Sequence, residues 1–279
     1  MRLQKFAQIS LIAGKSMRKV LLMLSPLILC AIFALFVPFF SPYALGFGEL
    51  ADSKLAPNVS HFFGTDLLGR DLFTQIAYAL RVSLFVGFSS SLLAIIFAVI
   101  FILIARCFFY SFFMRSLDAI LAMPSLLIVL FFQSFLGGNL FVMSFVIALG
   151  HFAFIAKVLD SKLDSIMKSE FYLCAISLGS TKFRAFYNDL LPACINLLAI
   201  LFVINIAHAI SHEATISFFG LGVPLDSASL GGLLSEGANA ILSGAWWLVI
   251  YPVIFLLALV LPLLGVASLL QDRFGVSID

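Results

Sequence analysis

The chain has 279 residues, of which 63% are hydrophobic and only 11% charged, with a mean hydropathy of +1.17. A soluble domain of this length could not hide so much apolar surface, so the composition implies an integral membrane protein. The net charge of +2 excludes a nucleic-acid binder, which needs a clustered basic face.

Residues 1–19 read as a tail carrying Arg2, Lys5, Lys15, Arg18 and Lys19. Within it, Ala13-Gly14-Lys15-Ser16 ends like a phosphate loop. That loop requires a glycine where Ile9 stands and a strand before it, so the segment reads as a basic pre-membrane tail and the chain is not expected to bind ATP itself.

A hydrocarbon core of ~30 Å needs about 20 apolar residues as helix. Charge-free runs of suitable length are Val20–Phe40, Val82–Ala105, Ile120–Leu136, Leu140–Ala156, Ala193–Ala209 and Trp246–Leu270. The first is too long for a signal peptide and lacks a small-residue cleavage site, so it reads as a retained span. The third and fourth are short and joined by Gly137-Gly138-Asn139, which predicts a helical hairpin. The expected fold is all-α, with six transmembrane helices and a permease core over residues 82–270.

Lys and Arg counts orient these spans. With the first tail in the cytoplasm, Arg106, Arg115, Lys157, Lys162, Lys168, Lys182, Arg184 and Arg273 also fall inside, so 13 of 16 basic residues are cytoplasmic. Only Lys54, Arg70 and Arg81 fall outside. Both termini, including the tail 271–279, are therefore expected in the cytoplasm, and loop 41–81 outside it.

Three polar clusters interrupt the apolar pattern. The first, His61 to Asp71, holds Gly64 and Gly69 for tight turns and Thr65 or Asp66 as caps. Arg70 can pair with Asp66 or Asp71. Such an ordered, charged knot fixes a loop against a partner.

The second lies in the insert 157–192. Phe171, Leu173, Cys174, Ala175 and Leu178 recur at helical spacing up to Gly179, which can take the left-handed conformation that stops a helix. Ser180 or Thr181 can then cap a second helix carrying Lys182 and Arg184. The reading is a cytoplasmic helix-turn-helix, a form that serves docking.

The third runs from Glu213 to Pro224, where Gly220, Gly222 and the proline predict irregular backbone straight after a span. The glycine- and serine-rich, acidic stretch Ser211–Ala245 suits a folded-back segment lining a cavity. His208 and His212, four apart, could contact a metal, but no third ligand is placed. They and Glu213 read instead as polar groups facing a cavity or a neighbouring subunit. His151 reads as an interhelical hydrogen-bonding residue. Cys30, Cys107, Cys174 and Cys194 lack metal-type spacing and read as packing residues, not disulfides.

Together and in this order, the clusters resemble the inner-membrane permease subunits of ATP-binding-cassette importers, in the dipeptide, oligopeptide and nickel branch and its C-type permease. His61–Asp71 is similar to that branch's His-Pro-Phe-Gly-Thr-Asp-x-x-Gly-Arg-Asp signature, with Phe62 in place of proline. Tyr78-Ala-Leu-Arg81-Val-Ser83-Leu continues it. Glu170–Pro192 resembles the cytoplasmic EAA loop, although Leu173-Cys174-Ala175 replaces Glu-Ala-Ala and Asp189 replaces an Ile or His. Glu213–Gly222 and Trp246-Trp247 resemble a further segment and a Trp pair of the branch.

The resemblance implies a type I importer permease fold in the bacterial inner membrane, and a transport subunit rather than an enzyme. Its implied partners are a homologous permease, two ATPases that use ATP and Mg, a periplasmic binding protein and membrane lipid. It further implies that Glu170, Leu173, Ala175, Leu178, Gly179, Lys182, Arg184 and Pro192 carry the coupling to the ATPase. Gly64, Thr65, Asp66, Gly69, Arg70 and Asp71 form the periplasmic motif. Asn196, Asn205, His208 and Glu213 are expected along the path. Peptides are the leading solute, with nickel or another small solute next. A secondary transporter would want ionisable groups deep in the spans, where only His151 clearly lies, and a passive structural subunit would have no use for the docking loop.

Overall fold

The computed structural model describes residues 22–177, 179–181, 184, 194–222 and 228–274. Among these residues the regular structure is helical, apart from an isolated bridge between Thr65 and Asp71. The helices are α1 (Leu22–Phe40), α2 (Leu72–Cys107), α3 (Tyr110–Leu121), α4 (Ser125–Leu136), α5 (Leu140–Met167), α6 (Glu170–Ser177), α7 (Ile195–Phe218), α8 (Leu230–Ala240) and α9 (Trp247–Phe274). Five are long and apolar enough to cross a membrane, and the bent pair α3–α4 supplies a sixth crossing if it counts as one span.

α2 starts at Leu72, well before the Val82 boundary read from the charge-free run. Asp71 supplies the cap by accepting the Thr74 amide at 2.9 Å. Arg81 does not end the helix because its guanidinium has partners. Nε donates to Ala34 O at 2.7 Å and Nη2 to Leu35 O at 3.0 Å, both on α1. At 36 residues the helix is about 54 Å long, so it projects beyond a ~30 Å hydrocarbon core.

The expected third span, Ile120–Leu136, is not one helix. The chain bends by 87° between α3 and α4, at Ala122-Met123-Pro124. Proline disfavours the α conformation of the residue before it, so the break falls there. The hairpin itself is present: Gly137 turns the chain with φ +84, and Asn139 caps α5 by accepting the Phe141 amide at 2.9 Å. Gly150 lets α4 approach, since a Cβ there would collide with Val129.

α7 corrects a second expectation. It runs through His208, His212 and Glu213 to Phe218, so the stretch after residue 209 is helix and not loop. The stop comes at Gly220, with φ +77. Leu221 N bonds Ile216 O and Gly220 N bonds Ser217 O, each at 3.1 Å, the paired closure of a glycine C-terminus.

α8 is the folded-back segment. It wedges between α7 and α9 because its glycines lack side chains: a Cβ on Gly231 would overlap the Ala214 backbone, and one on Gly237 would lie 2.6 Å from Leu248 O. α9 contains Pro252 and Pro262, which spanning helices tolerate.

The buried apolar side chains form one cluster at the Arg106 end of the bundle, one at the Arg70 end and a smaller one between them. Burial separates the helices sharply. The most apolar window of α5 is 61% buried and that of α1 only 11%, so α1 lies on the periphery and α5 at the centre. Large side chains such as Leu22, Phe131, Phe141 and Leu261 remain exposed, as lipid-facing residues are. All four cysteines are free. Cys30 and Cys194 are buried, whereas Cys107 and Cys174 are exposed, so packing explains only the first pair.

Candidate functional site

The six residues of the His61–Asp71 motif do come together at the Arg70 end. Gly64 (φ +79) and Gly69 (φ +76) make its turns. Asp66 is fully buried and is the centre of the knot. Its Oδ1 accepts the Leu68 and Arg70 amides at 2.8 Å. Its Oδ2 accepts Arg70 Nε at 2.5 Å and Gln75 Nε2 at 2.8 Å. Of the two carboxylates open to Arg70, Asp66 is therefore the one engaged.

Asp71 turns the other way. Its Oδ1 lies 2.9 Å from His61 Nδ1, while its Oδ2 caps α2. Thr65 Oγ1 accepts the Leu55 amide at 2.8 Å and donates to Asp52 O.

Two distant helices hold the knot in place. Trp247, at the start of α9, donates Nε1–H to Thr65 O at 3.1 Å. Arg70 Nη2 bonds Glu236 of α8 at 3.0 and 3.1 Å. Gly64 has to be glycine here, because a Cβ would sit 2.6 Å from Leu55 O and 2.9 Å from the Trp247 ring. Burial pushes the Glu236 carboxyl above its ordinary value, and the nearby Arg70 charge opposes that rise. Glu236 and Gln75 could not be identified as partners from sequence, since nothing local points to them.

The expected path residues separate. His151 Nδ1 lies 2.6 Å from Asn205 Oδ1, and His151 Nε2 lies 2.8 Å from His212 Nδ1. This is the interhelical role read for His151. His151, Asn205, His208 and His212 line one cavity of about 380 Å³ beside the α3–α4 break. Asn196 is exposed near the start of α7, outside that lining.

Glu213 faces neither that cavity nor the larger one at the Arg70 end. It is fully buried, with Oε2 accepting Ser83 Oγ at 2.7 Å and Oε1 accepting Ser217 Oγ at 3.0 Å. The expectation that it faces a cavity is therefore corrected: the carboxyl ties α2 to α7. Among the described residues, no three His, Cys, Asp or Glu side chains are placed to hold a metal ion.

The predicted docking loop sits at the opposite, Arg106 end. α6 begins at Glu170. Its Tyr172 is buried in the cluster that includes Cys194 and Leu197, which seats the helix against the bundle, while Glu170 and Cys174 are exposed. Gly179 has φ +92, the left-handed turn expected of it. Thr181 Oγ1 accepts the Arg184 amide at 3.3 Å, a capping bond at the expected position. Leu178, Lys182 and Pro192 lie outside the described residues, as do the side chains of Leu173 and Ala175.

Behind α6, Arg106 joins three helices. Its Nη2 donates to Asp160 Oδ1, to Asp160 O at 3.1 Å and to Asp164 Oδ1 at 2.6 Å. Tyr110 Oη donates to Asp160 Oδ2 at 2.8 Å. Sequence reasoning counted Arg106 only as a basic residue and did not find this clamp.

A family model described as "Binding-protein-dependent transport system inner membrane component" matches residues 90–276. The Bacillus subtilis dipeptide transport system permease protein DppC is 30% identical over 231 residues, covering 81% of this chain and 71% of that protein. The oligopeptide transport system permease protein OppC of the same organism is 28% identical, covering 79% and 73%. A Brucella suis putative peptide permease protein is 29% identical, covering 91% and 84%.

Proposed function

The chain belongs to the binding-protein-dependent transport system inner membrane component family, and from that premise we propose that it forms half of a peptide path in an ATP-driven importer. It is a multi-pass permease subunit of the inner membrane. The observation that carries the peptide reading is the set of peptide permeases to which most of the chain is similar.

In this reading the Arg106 end faces the cytoplasm and the Arg70 end the periplasm. The lysine and arginine distribution supports that orientation. A homologous permease completes the path, two ATPases bind the cytoplasmic face, and a periplasmic binding protein delivers solute.

Coupling runs through the loop 157–192. α6 is anchored by Tyr172 on one side and exposes Glu170 and Cys174 on another, so it has a face to present to an ATPase. The left-handed turn at Gly179 aims the chain that follows. Closure of the two ATPases moves these helices together, and the Arg106–Asp160 clamp carries the movement into α2, α3 and α5. The ATPases can shift the spans only by as much as their contacts differ between the two states.

The test is ATP-dependent uptake of labelled dialanine by vesicles holding the complex and its binding protein. Uptake that requires ATP and the ATPases supports the proposal. Transport that proceeds without any ATPase would overturn it, and uptake of nickel with no uptake of dialanine would overturn the peptide assignment alone.

A further inference from the structure

At the Arg70 end, the segment 47–55 lies across residues 65–70, and glycines let the two meet. A Cβ on Gly48 would lie 2.5 Å from Leu68 O, and one on Gly69 would overlap Glu49 O. Ser53 Oγ donates to Leu67 O at 2.8 Å, and Lys54 N donates to Asp66 O at 3.0 Å. Lys54 has φ +57, and among the described residues it is the one non-glycine with a positive φ. A side chain is strained in that conformation, so the bonds around Lys54 hold it there. The segment is thus seated on a knot that Trp247 and Glu236 already anchor.

What this platform presents is apolar. Phe47 is 80% exposed, Leu50 75% and Leu68 51%. Glu49 and Lys54 beside them are exposed too, and neither is ion-paired among the described residues.

Lipid does not account for the three apolar side chains. Arg81 is the last charge before the charge-free run Val82–Ala105. Its guanidinium lies 5.7 Å from the Phe39 ring centre and 5.3 Å from that of Tyr78, aromatic company that marks a membrane interface. From Arg81 back to Leu72, α2 rises about 14 Å along its axis. A steep tilt of about 40° would still leave about 11 Å. The headgroup layer on one side is only about 5–8 Å thick. The knot before Leu72, with the segment seated on it, therefore stands in water beyond the lipid.

Exposed apolar side chains clustered on an ordered, water-facing platform mark a protein contact. An obligate neighbour such as the second permease calls for a large and strongly apolar interface. Three apolar side chains rimmed by one acid and one base suit a partner that docks and leaves.

We propose that Phe47, Leu50 and Leu68, with Glu49 and Lys54 at the rim, dock the soluble binding protein that delivers solute. The proposal rests on the importer reading and adds to it the surface that this chain offers. The matching face of the binding protein would hold an apolar hollow with an acid placed for Lys54.

The experiment titrates fluorescently labelled binding protein onto the full transporter complex in nanodiscs. Phe47→Asp, Leu50→Asp and Leu50→Met are compared with the unaltered chain. Each aspartate variant is expected to weaken binding by about tenfold or more, as for residues at the centre of an interface. Leu50→Met keeps the apolar volume and should stay within about twofold. In vesicles, the aspartate variants should raise the binding-protein concentration for half-maximal dialanine uptake by a similar factor. At saturating binding protein, the uptake rate should return close to that of the unaltered chain.

Aspartate variants that bind as tightly as the unaltered chain would overturn the proposal. So would a lower rate at saturation with the half-maximal concentration unchanged. Loss of the second permease from the purified complex would also overturn it, and would assign the surface to that neighbour. ATP-dependent uptake that needs the binding protein but ignores both aspartates sinks the docking surface alone. Uptake that needs neither binding protein nor ATP sinks the importer reading with it. Absence of dialanine uptake sinks the peptide assignment, while the nanodisc titration still decides the surface.

Discussion

Arg70 and Glu236 meet at 3.0 Å although 166 residues separate them in the chain. Their contact joins a knot that precedes α2 to a short helix lodged between α7 and α9. With the bond from Trp247 to Thr65, it ties the loop that precedes α2 to the last third of the molecule. The two carboxylates that serve Arg70 differ in setting, however: Asp66 is sealed from solvent while the Glu236 side chain is about a third exposed.

That difference predicts unequal mutants. Asp66→Asn leaves Arg70 with a neutral partner inside the fold and weakens four bonds to one side chain, so it should cost about 3–5 kcal/mol. Glu236→Gln should change stability by less than about 1 kcal/mol, because burial of its charge and attraction to Arg70 oppose one another. Thermal unfolding of the purified complex in detergent would show this, and equal shifts for the two variants would contradict it.

Glu236 also carries a pH signature. Its carboxyl titrates above the ordinary value because burial disfavours the charge, with Arg70 opposing. A raised acid binds its proton more tightly in the folded state. Its stabilising contribution is therefore complete below the unfolded value of about 4.3 and is lost as pH rises through the folded one. The melting-temperature advantage of the unaltered chain over Glu236→Gln should shrink as pH rises above the ordinary carboxylate range. An advantage that grows with pH would reverse the sign and refute the argument.

What the sequence disclosed and what it withheld follow a physical division. The left-handed turn at Gly179 and the hairpin at Gly137-Gly138-Asn139 are set by neighbours a few residues apart, and spacing revealed both. For Arg70 it left Asp66 and Asp71 open, and the buried position of Asp66 decides between them. The extent of α7 was not legible. Glu213 looks like the polar end of a span until Ser83, on α2, is seen to enclose it. The bend at Pro124 was hidden because apolar composition continues across it. Glu236 acquires its role only from Arg70, 166 residues away in the chain.

Ser83 tests that enclosure. Its hydroxyl is one of two that reach the buried Glu213 carboxyl. Ser83→Ala leaves one oxygen without its donor, which should cost about 1–3 kcal/mol. The double variant Ser83→Ala with Glu213→Leu removes both polar partners and should recover much of that loss. Non-additivity measured by a double-mutant cycle in detergent unfolding would establish the pair, and simple additivity would dissolve it.

At the other end, Arg106 serves two acids unequally. Asp160 is buried while Asp164 is half exposed. Arg106→Ala strands the Asp160 charge and should cost about 3–5 kcal/mol, whereas Asp164→Asn should cost less than about 1 kcal/mol. Arg106→Lys is expected to fall between the unaltered chain and alanine. One nitrogen, Nη2, serves both acids, and an ammonium also gathers its donors at one point, without the planar geometry that holds them here. The amount of correctly inserted complex after purification reads out this order, and a benign Arg106→Ala would remove the clamp from the coupling route.

Gly179 separates conformation from crowding. Its φ is +92 and a Cβ there would meet nothing within 4 Å, so any penalty arises from the backbone alone. Valine should cost about 1–2 kcal/mol by disfavouring the left-handed conformation, while asparagine, which visits it more readily, should cost less. Because the turn is exposed at the edge of the bundle, both variants should insert normally. Gly179→Val should nevertheless lose most ATP-dependent dialanine uptake, with Gly179→Asn retaining an intermediate rate. If valine and asparagine behave alike, the turn's conformation is not what aims the coupling loop.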